Sequence, residues 1–479
     1  MQFGAKTIIN FFGLAMLTSG CALGLIALNS DWQNTHLSPY QANKDLQVLQ
    51  QQISQHSAIA AIDPSQLNQV IKASQQFQQI LPSRVSVTEF VPEVQKILAQ
   101  LDDINAHVKT DRFSKQLPIH IRYIDNQFIA LNDKGSLQIS QYPYLTHLDG
   151  LPLSYWLSAA ARYLPSGLSQ DYNALLTQLS YLPQLRQEIG ARPSETVTLT
   201  LSDGQQSHQQ TIALIDSDRP PHLPFSANWV IKPQPSNVFE IGNFNQFDND
   251  TAFKAVVTQS LLTPLTILDL RRGHGTNSLL TRTLAGYYGM QSYSGIQPPV
   301  AIARYRLNNR LRADYLQSRQ FALFDQFSSF EQLHLTTASQ AAHSNSDSSF
   351  GQWFARKAPF SQIKVSPLPT HNKVGKLALI IGPQCRGECQ WLVHFAQSWP
   401  NVTLIGTATR GDFDLKHRFT LPKSNIDVTL TNSLVYDMHG QLLTGRATQP
   451  DIELTVDENI HWPGLLDVIN SHSSTAVTQ

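Results

Sequence analysis

The residues with the clearest potential for chemistry are two cysteines near the C-terminal end of the chain. Cys385 and Cys389 lie in "LALIIGPQCRGECQWLVHF", between an apolar run and an apolar-periodic segment. This pattern predicts a strand, a turn and a helix, and such a turn is a common place for a catalytic nucleophile. A thiolate at Cys385 could attack a carbonyl carbon, provided that the thiol is free and has a low pKa.

The same two cysteines also fit a disulfide. In an oxidising compartment an even pair of cysteines indicates a bridge first. At the start of a helix, residues i and i+4 have Cα atoms roughly 6 Å apart, which is within the usual range for a disulfide. We therefore favour a disulfide between Cys385 and Cys389 over a reactive thiol. No second cysteine pair and no suitably spaced histidine pair accompanies them, so no metal site is predicted, and no cofactor is expected.

Composition limits the class of protein. The chain has 479 residues, 41% of them hydrophobic and only 15% charged, which is typical of a folded globular protein. This length predicts about three domains. Lys+Arg and Asp+Glu are equal at 35 each, and no basic stripe stands out, so nucleic acid is not an expected partner.

The N-terminus predicts export and a membrane tether. Residues 1–30 contain one lysine, no acid, and an apolar run about as long as a transmembrane helix requires. Within the run, Thr18-Ser19-Gly20-Cys21 resembles the lipobox of bacterial lipoproteins, which implies acylation of Cys21. The alternative is an uncleaved signal-anchor helix. Either anchor would place the protein on the periplasmic side of the cell envelope.

The elements that must position these residues follow from periodicity, and the fold class they predict is a multidomain α/β protein, α+β overall. The predicted order is an anchor, a helical region, a module that resembles a PDZ domain, a proline-rich connector, an α/β core with parallel strands, and a tail: 1–30, 31–116, 117–215, 216–235, 236–456 and 457–479.

Four segments in order resemble the tail-specific (C-terminal-processing) serine peptidases, whose relatives include the tricorn core and the retinoid-binding photoreceptor proteins. The segments are "LTILDLRRGHGTN", "LALIIGPQCRGECQWLVHF", "NVTLIGTATRGDF" and "GRATQPDIEL". Upstream, "ILAQLDDINAHV" resembles the family's Asp-x-His segment. The resemblance covers most of residues 35–456 and implies a ClpP/crotonase-like peptidase core.

The resemblance also locates the serine position. In the family the serine lies three residues before a glutamate, which is at a fixed spacing from the turn Gly-x-x-Thr-x-Gly. Counted back from Gly406, the glutamate position is Gln390 and the serine position is Gly387. A second register would put Cys385 in the serine's place, but it shifts the spacing to Gly406 by two residues.

The positions of the general base are substituted as well. Where lysine-dyad members have a lysine after Gly-x-x-Thr-x-Gly, this chain has Asp412. Where tricorn-like members have a histidine base and a glutamate helper, it has His107 and Thr444. His107 is the one base candidate that is retained. Its alternative role is that of an ordinary histidine at a helix end.

The turn after Asp-Leu-Arg would supply the oxyanion site. It comprises Asp269, Arg271, Gly273, His274 and Gly275. Relative to the family pattern an asparagine is lost, and we expect the bulky His274 to intrude where the turn requires small residues. Asp269 and Arg271 are expected to form an ion pair that fixes the turn, and His274 could bind an anion or lie in solvent.

Three functional hypotheses follow. Loss of the nucleophile, base and glycine pattern together favours a catalytically degenerate member of the family that binds polypeptide segments or envelope proteins. The alternative is an active serine- or cysteine-type endopeptidase with a displaced nucleophile, Cys385 or Ser278. The third hypothesis is a carrier of apolar small ligands, which requires an internal cavity.

Overall fold

A computed structural model describes most of the chain. The described residues are 36–109, 115–124, 126–133, 136–216, 231–232, 237–247, 264–289, 299–306, 320–342, 349–359, 375–413 and 415–454. The predicted anchor with Cys21, nearly all of the connector and the C-terminal tail lie outside these ranges. Within them, no helix has the length and apolarity needed to cross a membrane.

The N-terminal part is helical, as its periodicity predicts. Its elements are β1 (His36–Leu37), α1 (Pro39–His56), α2 (Ala58–Ile62), α3 (Pro64–Ile80), β2 (Val85–Ser86), α4 (Val87–Ala99) and β3 (His107–Val108). Helix α1 begins after Ser38, whose hydroxyl accepts from the backbone of Gln41 in a capping box. Helix α4 begins after Ser86, which forms the same motif with Glu89.

A six-stranded antiparallel sheet with three helices follows. The elements are β4 (His120–Ile124), β5 (Gln127–Leu131), β6 (Tyr144–Leu148), β7 (Leu151–Pro152), α5 (Leu153–Ala161), α6 (Tyr172–Leu179), α7 (Leu182–Glu188), β8 (Thr196–Ser202) and β9 (Ser207–Ala213). The sheet order is β4-β5-β6-β8-β9, and β7 pairs with β6. Asp149 and Gly150 have φ values of 50° and 76°, so they form the predicted tight turn. The likeness to a PDZ domain stays a prediction.

The remaining elements build the core of the molecule. In chain order they are β10 (Ile231–Lys232), β11 (Asn237–Glu240), β12 (Leu265–Asp269), α8 (Leu279–Tyr288), β13 (Pro299–Arg306), β14 (Phe321–Leu323), α9 (Ser329–Ala341), β15 (Phe350–Lys357), β16 (Lys376–Ile381), α10 (Glu388–Ala396), β17 (Val402–Gly406), β18 (Lys416–Thr420), β19 (Asp427–Thr431), β20 (Ser433–Asp437) and β21 (Ile452–Glu453).

The predicted parallel α/β layer is confirmed. One sheet has the order β10-β11-β12-β16-β17-β21 and is parallel from β11 to β21. Five of the six residues of β16 are buried, which is typical of a strand covered on both faces. Asp269 at the end of β12 pairs with Ile380 of β16. The turns after these two strands therefore meet at one edge of the sheet.

Two further sheets complete the core. An antiparallel sheet has the order β14-β15-β13-β20, and a smaller one has the order β18-β19-β3. The smaller sheet packs on the N-terminal helices, because Val108, Val428 and Leu430 belong to the same buried cluster as the apolar faces of those helices. The helical region and the C-terminal part of the chain thus share one hydrophobic core.

A pair of histidines joins helix α1 to strand β18. The rings of His56 and His417 stack with centroids 3.9 Å apart, and Nε2 of His417 lies 2.9 Å from the amide oxygen of Gln52. The pKa of His417 is lowered to about 4, first by burial and then by the neighbouring His56. Burial and, secondarily, Arg306 lower the pKa of His56. Both rings are therefore neutral at pH 7.

Acidification is expected to weaken this junction. Between about pH 6.5 and 4 the unfolded chain binds a proton at position 417 that the folded chain does not, so stability falls as the pH falls. Since His417 is only partly buried, the expected loss between pH 7 and pH 5 is about 1–2 kcal/mol. Urea unfolding at both pH values should show a smaller loss for His417→Phe than for the wild type. An equal loss in the two proteins would contradict the assignment.

Candidate active site

The predicted nucleophile turn connects β16 to α10. Gly387 is the residue immediately before the helix, with φ 64° and ψ −123°. This backbone conformation favours glycine, and it forms the sharp strand-to-helix turn that exposes a nucleophile in hydrolases. The residue at the sharp bend is Gly387 and not Cys385. The position predicted for the nucleophile therefore has no side chain.

The space in front of Gly387 is occupied by another backbone segment. A Cβ atom at this position would overlap the carbonyl oxygen of Gly275. That oxygen accepts a hydrogen bond of 2.8 Å from the backbone N–H of Glu388, and the N–H of Gly387 donates to the carbonyl oxygen of Asp412 at 3.0 Å. An oxyanion site requires N–H groups directed at the substrate. In this turn both N–H groups are directed at carbonyl oxygens of the protein.

The two cysteines of the turn form a disulfide. Cys385 and Cys389 have Cα atoms 5.4 Å apart and are fully buried. A Cβ atom at Gly273 would lie 2.5 Å from the sulfur of Cys389, so the bridge also explains why the neighbouring turn requires glycine there. A bridged Cys385 has no thiolate. The bridge also packs the nucleophile turn against the turn after β12.

Thiol titration provides a test of the bridge. Unfolded in denaturant without reductant, the protein should show no free thiol beyond Cys21, and two more should appear after reduction. Because the bridge closes a loop of five residues, Cys389→Ala is expected to lower the free energy of unfolding by about 2 kcal/mol. Two reactive thiols beyond Cys21 in unreduced protein would instead favour chemistry at Cys385.

The positions of the base have structural partners. The carboxylate of Asp412 is buried and lies 2.6 Å from the ammonium of Lys416. The lysine that family members have directly after the glycine that corresponds to Gly411 is absent. Lys416, four residues after Asp412, is held in the ion pair. Thr444 is also buried, and its hydroxyl accepts a hydrogen bond of 2.9 Å from the backbone N–H of Val435. These contacts stabilise loops.

His107 remains within electrostatic reach of the turn. It lies on β3, and its Nδ1 is 2.7 Å from the carbonyl oxygen of Asn105 in a partly buried contact. The pKa of His107 is lowered, first by burial of the imidazole and then by Lys416, Arg386 and Arg418. Arg386 directly precedes Gly387, so the nucleophile turn contributes one of the positive charges that act on His107.

The turn after β12 is fixed by an ion pair. The guanidinium of Arg271 donates to both carboxylate oxygens of Asp269, at 2.9 and 2.6 Å, and Asp269 is buried. His274 is exposed, and its Nδ1 lies 3.2 Å from the carbonyl oxygen of Arg272 in the same turn. Burial, followed by repulsion from Arg122 and Arg271, lowers the pKa of Arg272 to about 10. The carbonyl of Gly275, and not a bulky side chain, is what closes the site.

The alternative serine lies away from the bend. Ser278 is 4% exposed at the start of α8, and its side chain makes no capping hydrogen bond. Among the residues that the structure describes, no histidine, lysine or carboxylate is hydrogen-bonded to its hydroxyl. A serine hydroxyl without an adjacent base is a weak nucleophile.

A buried ion pair behind the turn was not found from the sequence. A terminal nitrogen of Arg356 lies 3.0 and 2.9 Å from the two carboxylate oxygens of Glu388, and both side chains are 2% exposed. The guanidinium also stacks on Trp391, 4.2 Å from the ring centroid. Arg356 lies in a strand that also contains Gln352 and Lys357, so its type does not stand out, and its partner lies 32 residues away.

A small cavity lies beside this ion pair. Its volume is about 20 Å³, which is enough for one water molecule. Its walls include the two glycines that face each other and the ion pair, together with aromatic side chains: Gly275, Thr276, Phe321, Arg356, Gly387, Glu388, Trp391, Phe413 and Leu415. No group of described histidine, cysteine or acidic residues has an arrangement that could hold a metal ion.

Comparison with known structures supports this architecture. The structure of mature CPAF complexed with lactacystin is similar, with 14% sequence identity and a TM-score of 0.59. The match covers 92% of this chain and 98% of the CPAF chain. The chain shares the fold of mature CPAF. A second structure of mature CPAF matches with 15% identity, 90% and 96% coverage and a TM-score of 0.57. The photosystem II D1 C-terminal processing protease matches with 9% identity, 87% and 93% coverage and a TM-score of 0.38.

The likeness to CPAF concerns the fold alone. It spans nearly the whole of both chains. No protein-family model matches the sequence, and no curated protein matches it either. At 14–15% identity the chemistry must be inferred from the residues of the site itself.

Proposed function

We propose that this protein binds polypeptides on a peptidase-type fold without cleaving them. The observation that carries the proposal is the nucleophile turn, where Gly387 has no side chain and the carbonyl of Gly275 fills the space for one. The adjacent N–H groups are hydrogen-bonded within the protein, so they do not stabilise an oxyanion. Substitution of all these groups together leaves no route to an acyl intermediate at this turn.

Binding remains compatible with the same geometry. Thr276, Arg386 and His107 are exposed around the turn, so a polypeptide can approach it from solvent. Strand β9 is an exposed edge of the antiparallel sheet β4-β5-β6-β8-β9. Edges of this kind accept an extended peptide as an additional strand. The proposal includes a location on the periplasmic side of the cell envelope with a tether in residues 1–30, which rests on the sequence pattern alone.

The competing functions have less support. An active peptidase would have to use Cys385, which is bridged, or Ser278, which is buried without a hydrogen-bonded base in the described part of the chain. A carrier of apolar ligands would need a cavity of several hundred Å³. The cavity at the turn has about 20 Å³, far below that size.

Fluorescence anisotropy with labelled, unfolded casein tests the proposal. The expected result is saturable binding to the full-length protein, while mass spectrometry of the same samples shows the casein intact. Folded casein-sized globular proteins serve as the control and should not bind. Absence of binding, or accumulation of casein fragments, would overturn the proposal.

A further inference from the structure

The sheet β18-β19-β3 has two chemically different faces. Its register places Arg418 opposite Thr429, and Thr429 opposite His107, so these three side chains lie on one face. The adjacent positions Val428 and Val108 point the other way and are buried against the N-terminal helices. The face with Arg418 and His107 is therefore the outer one, and these two residues are exposed on its edge strands, whereas Thr429 between them is buried.

This outer face is basic. Lys416 lies two residues before Arg418 on the same strand, so it shares that face. Arg386 belongs to the same region, because the next residue, Gly387, donates its N–H to the carbonyl oxygen of Asp412, and Asp412 is paired with Lys416. We call four residues the basic face: Arg386, Lys416, Arg418 and His107. Arg386, Arg418 and His107 are exposed.

Two arginines of the basic face, Arg386 and Arg418, are available to bind an anion. Lys416 is paired with Asp412. In the part of the chain that the structure describes, neither Arg386 nor Arg418 has a carboxylate within ion-pair distance. Two exposed guanidinium groups beside a histidine form a site complementary to carboxylates, because each guanidinium can donate two parallel hydrogen bonds to one carboxylate.

We propose that the basic face binds an acidic segment of the polypeptide held at the nucleophile turn. The inference rests on the proposed function and adds a specificity to it. Charge complementarity defines the occupant, and the position of Arg386 directly before Gly387 makes the face continuous with the turn. From β18 to β3 the sheet spans about 10 Å, which corresponds to roughly three residues of extended peptide. A run of about three residues containing two carboxylates fits these dimensions.

A short acidic peptide fits this face better than an extended anionic surface. Asp427 lies on the same face at the next outward pair of β19 and accepts a hydrogen bond of 2.6 Å from Thr420. Its exposed carboxylate ends the basic face on that side. A membrane or a long polyanion would meet this negative charge, whereas a short acidic run contacts only the cations.

The test uses the full-length protein and two fluorescein-labelled peptides. One peptide is a twelve-residue unstructured sequence with two Glu-x-Glu repeats, and the other has glutamine at each glutamate. At low salt the acidic peptide should bind about tenfold more tightly, and the difference should vanish at high salt. Arg386→Gln/Arg418→Gln should reduce binding of the acidic peptide to the level of the glutamine peptide. Lys72→Gln/Arg192→Gln, which removes two exposed cations elsewhere, should leave both affinities unchanged.

Each outcome separates the two proposals. Equal binding of both peptides by the wild type would overturn the basic face as a specificity site, while the proposed polypeptide binding would stand. If neither peptide nor unfolded casein binds, the proposed function itself is wrong. Vesicles of anionic phospholipid should not compete with the acidic peptide. Full displacement by such vesicles would assign the face to a membrane and overturn the inference.

Discussion

Gly387→Ser is expected to yield a destabilised protein with no peptidase activity. A serine at this position must adopt a φ of 64°, which costs a residue with a Cβ atom about 1–2 kcal/mol. Its Cβ would also overlap the carbonyl oxygen of Gly275, so the two turns must separate. Such overpacking typically costs a further 1–3 kcal/mol. The expected loss in the free energy of unfolding is about 2–4 kcal/mol.

The control for this variant is Gly190→Ser. Gly190 has a similar φ of 71°, but nothing lies within 4 Å of a Cβ atom built there. Urea unfolding should therefore show a loss of only about 1 kcal/mol for Gly190→Ser, which reflects the backbone conformation alone. Equal losses for the two variants would show that the approach of Gly275 is not a barrier. Casein cleavage by Gly387→Ser would show that the site is poised for catalysis.

Arg356→Met should cause the other large effect. Arg356 and Glu388 are 2% exposed and compensate each other's charge in the core. Removal of the arginine leaves a carboxylate buried without its counter-ion, and breaking a buried pair in this way typically costs about 3–5 kcal/mol. The loss of stacking on Trp391 adds to this cost. We expect the first turn of α10 to be the part of the site that is most disturbed.

A second variant separates charge from packing. Arg356→Met/Glu388→Leu removes both charges and should recover most of the lost stability, because an apolar pair of similar volume needs no desolvation. Lys72→Met, at an exposed position on α3, should change the free energy of unfolding by less than about 0.5 kcal/mol. If the free energy of unfolding of Arg356→Met lies within about 1 kcal/mol of the wild-type value, the ion pair does not stabilise the turn.

Local patterns were sufficient for many elements of the fold. Ser38-Pro39 and the apolar periodicity after it predict α1, and Asp149-Gly150 predicts the turn before α5, because these signals act through neighbouring residues. The apolar runs of β12 and β16 likewise predict buried parallel strands. The alternation of 117–131 predicts one strand, but Asn126 adopts a φ of 62° and the segment forms the hairpin β4-β5.

The contacts that define the site are distant in sequence. Motif spacing located Gly387, but only the tertiary structure shows the carbonyl of Gly275 in front of it. The pair of Arg356 and Glu388 joins different elements, so no periodicity could reveal it. His107 was expected at a helix end, and it lies instead on a short strand that pairs with β19, more than 300 residues away. Such pairings depend on the global packing of the chain.

Release of fragments from casein is the most direct test of the central claim. The purified, oxidised full-length protein should release no more fragments than a heat-inactivated sample, and Ser278→Ala and Cys385→Ala should not differ from it. Cys389→Ala provides the matched control, because it breaks the same disulfide without touching Cys385. Fragment release that disappears in Ser278→Ala would contradict the account. So would release that disappears in Cys385→Ala but persists in Cys389→Ala, since both results require a working nucleophile.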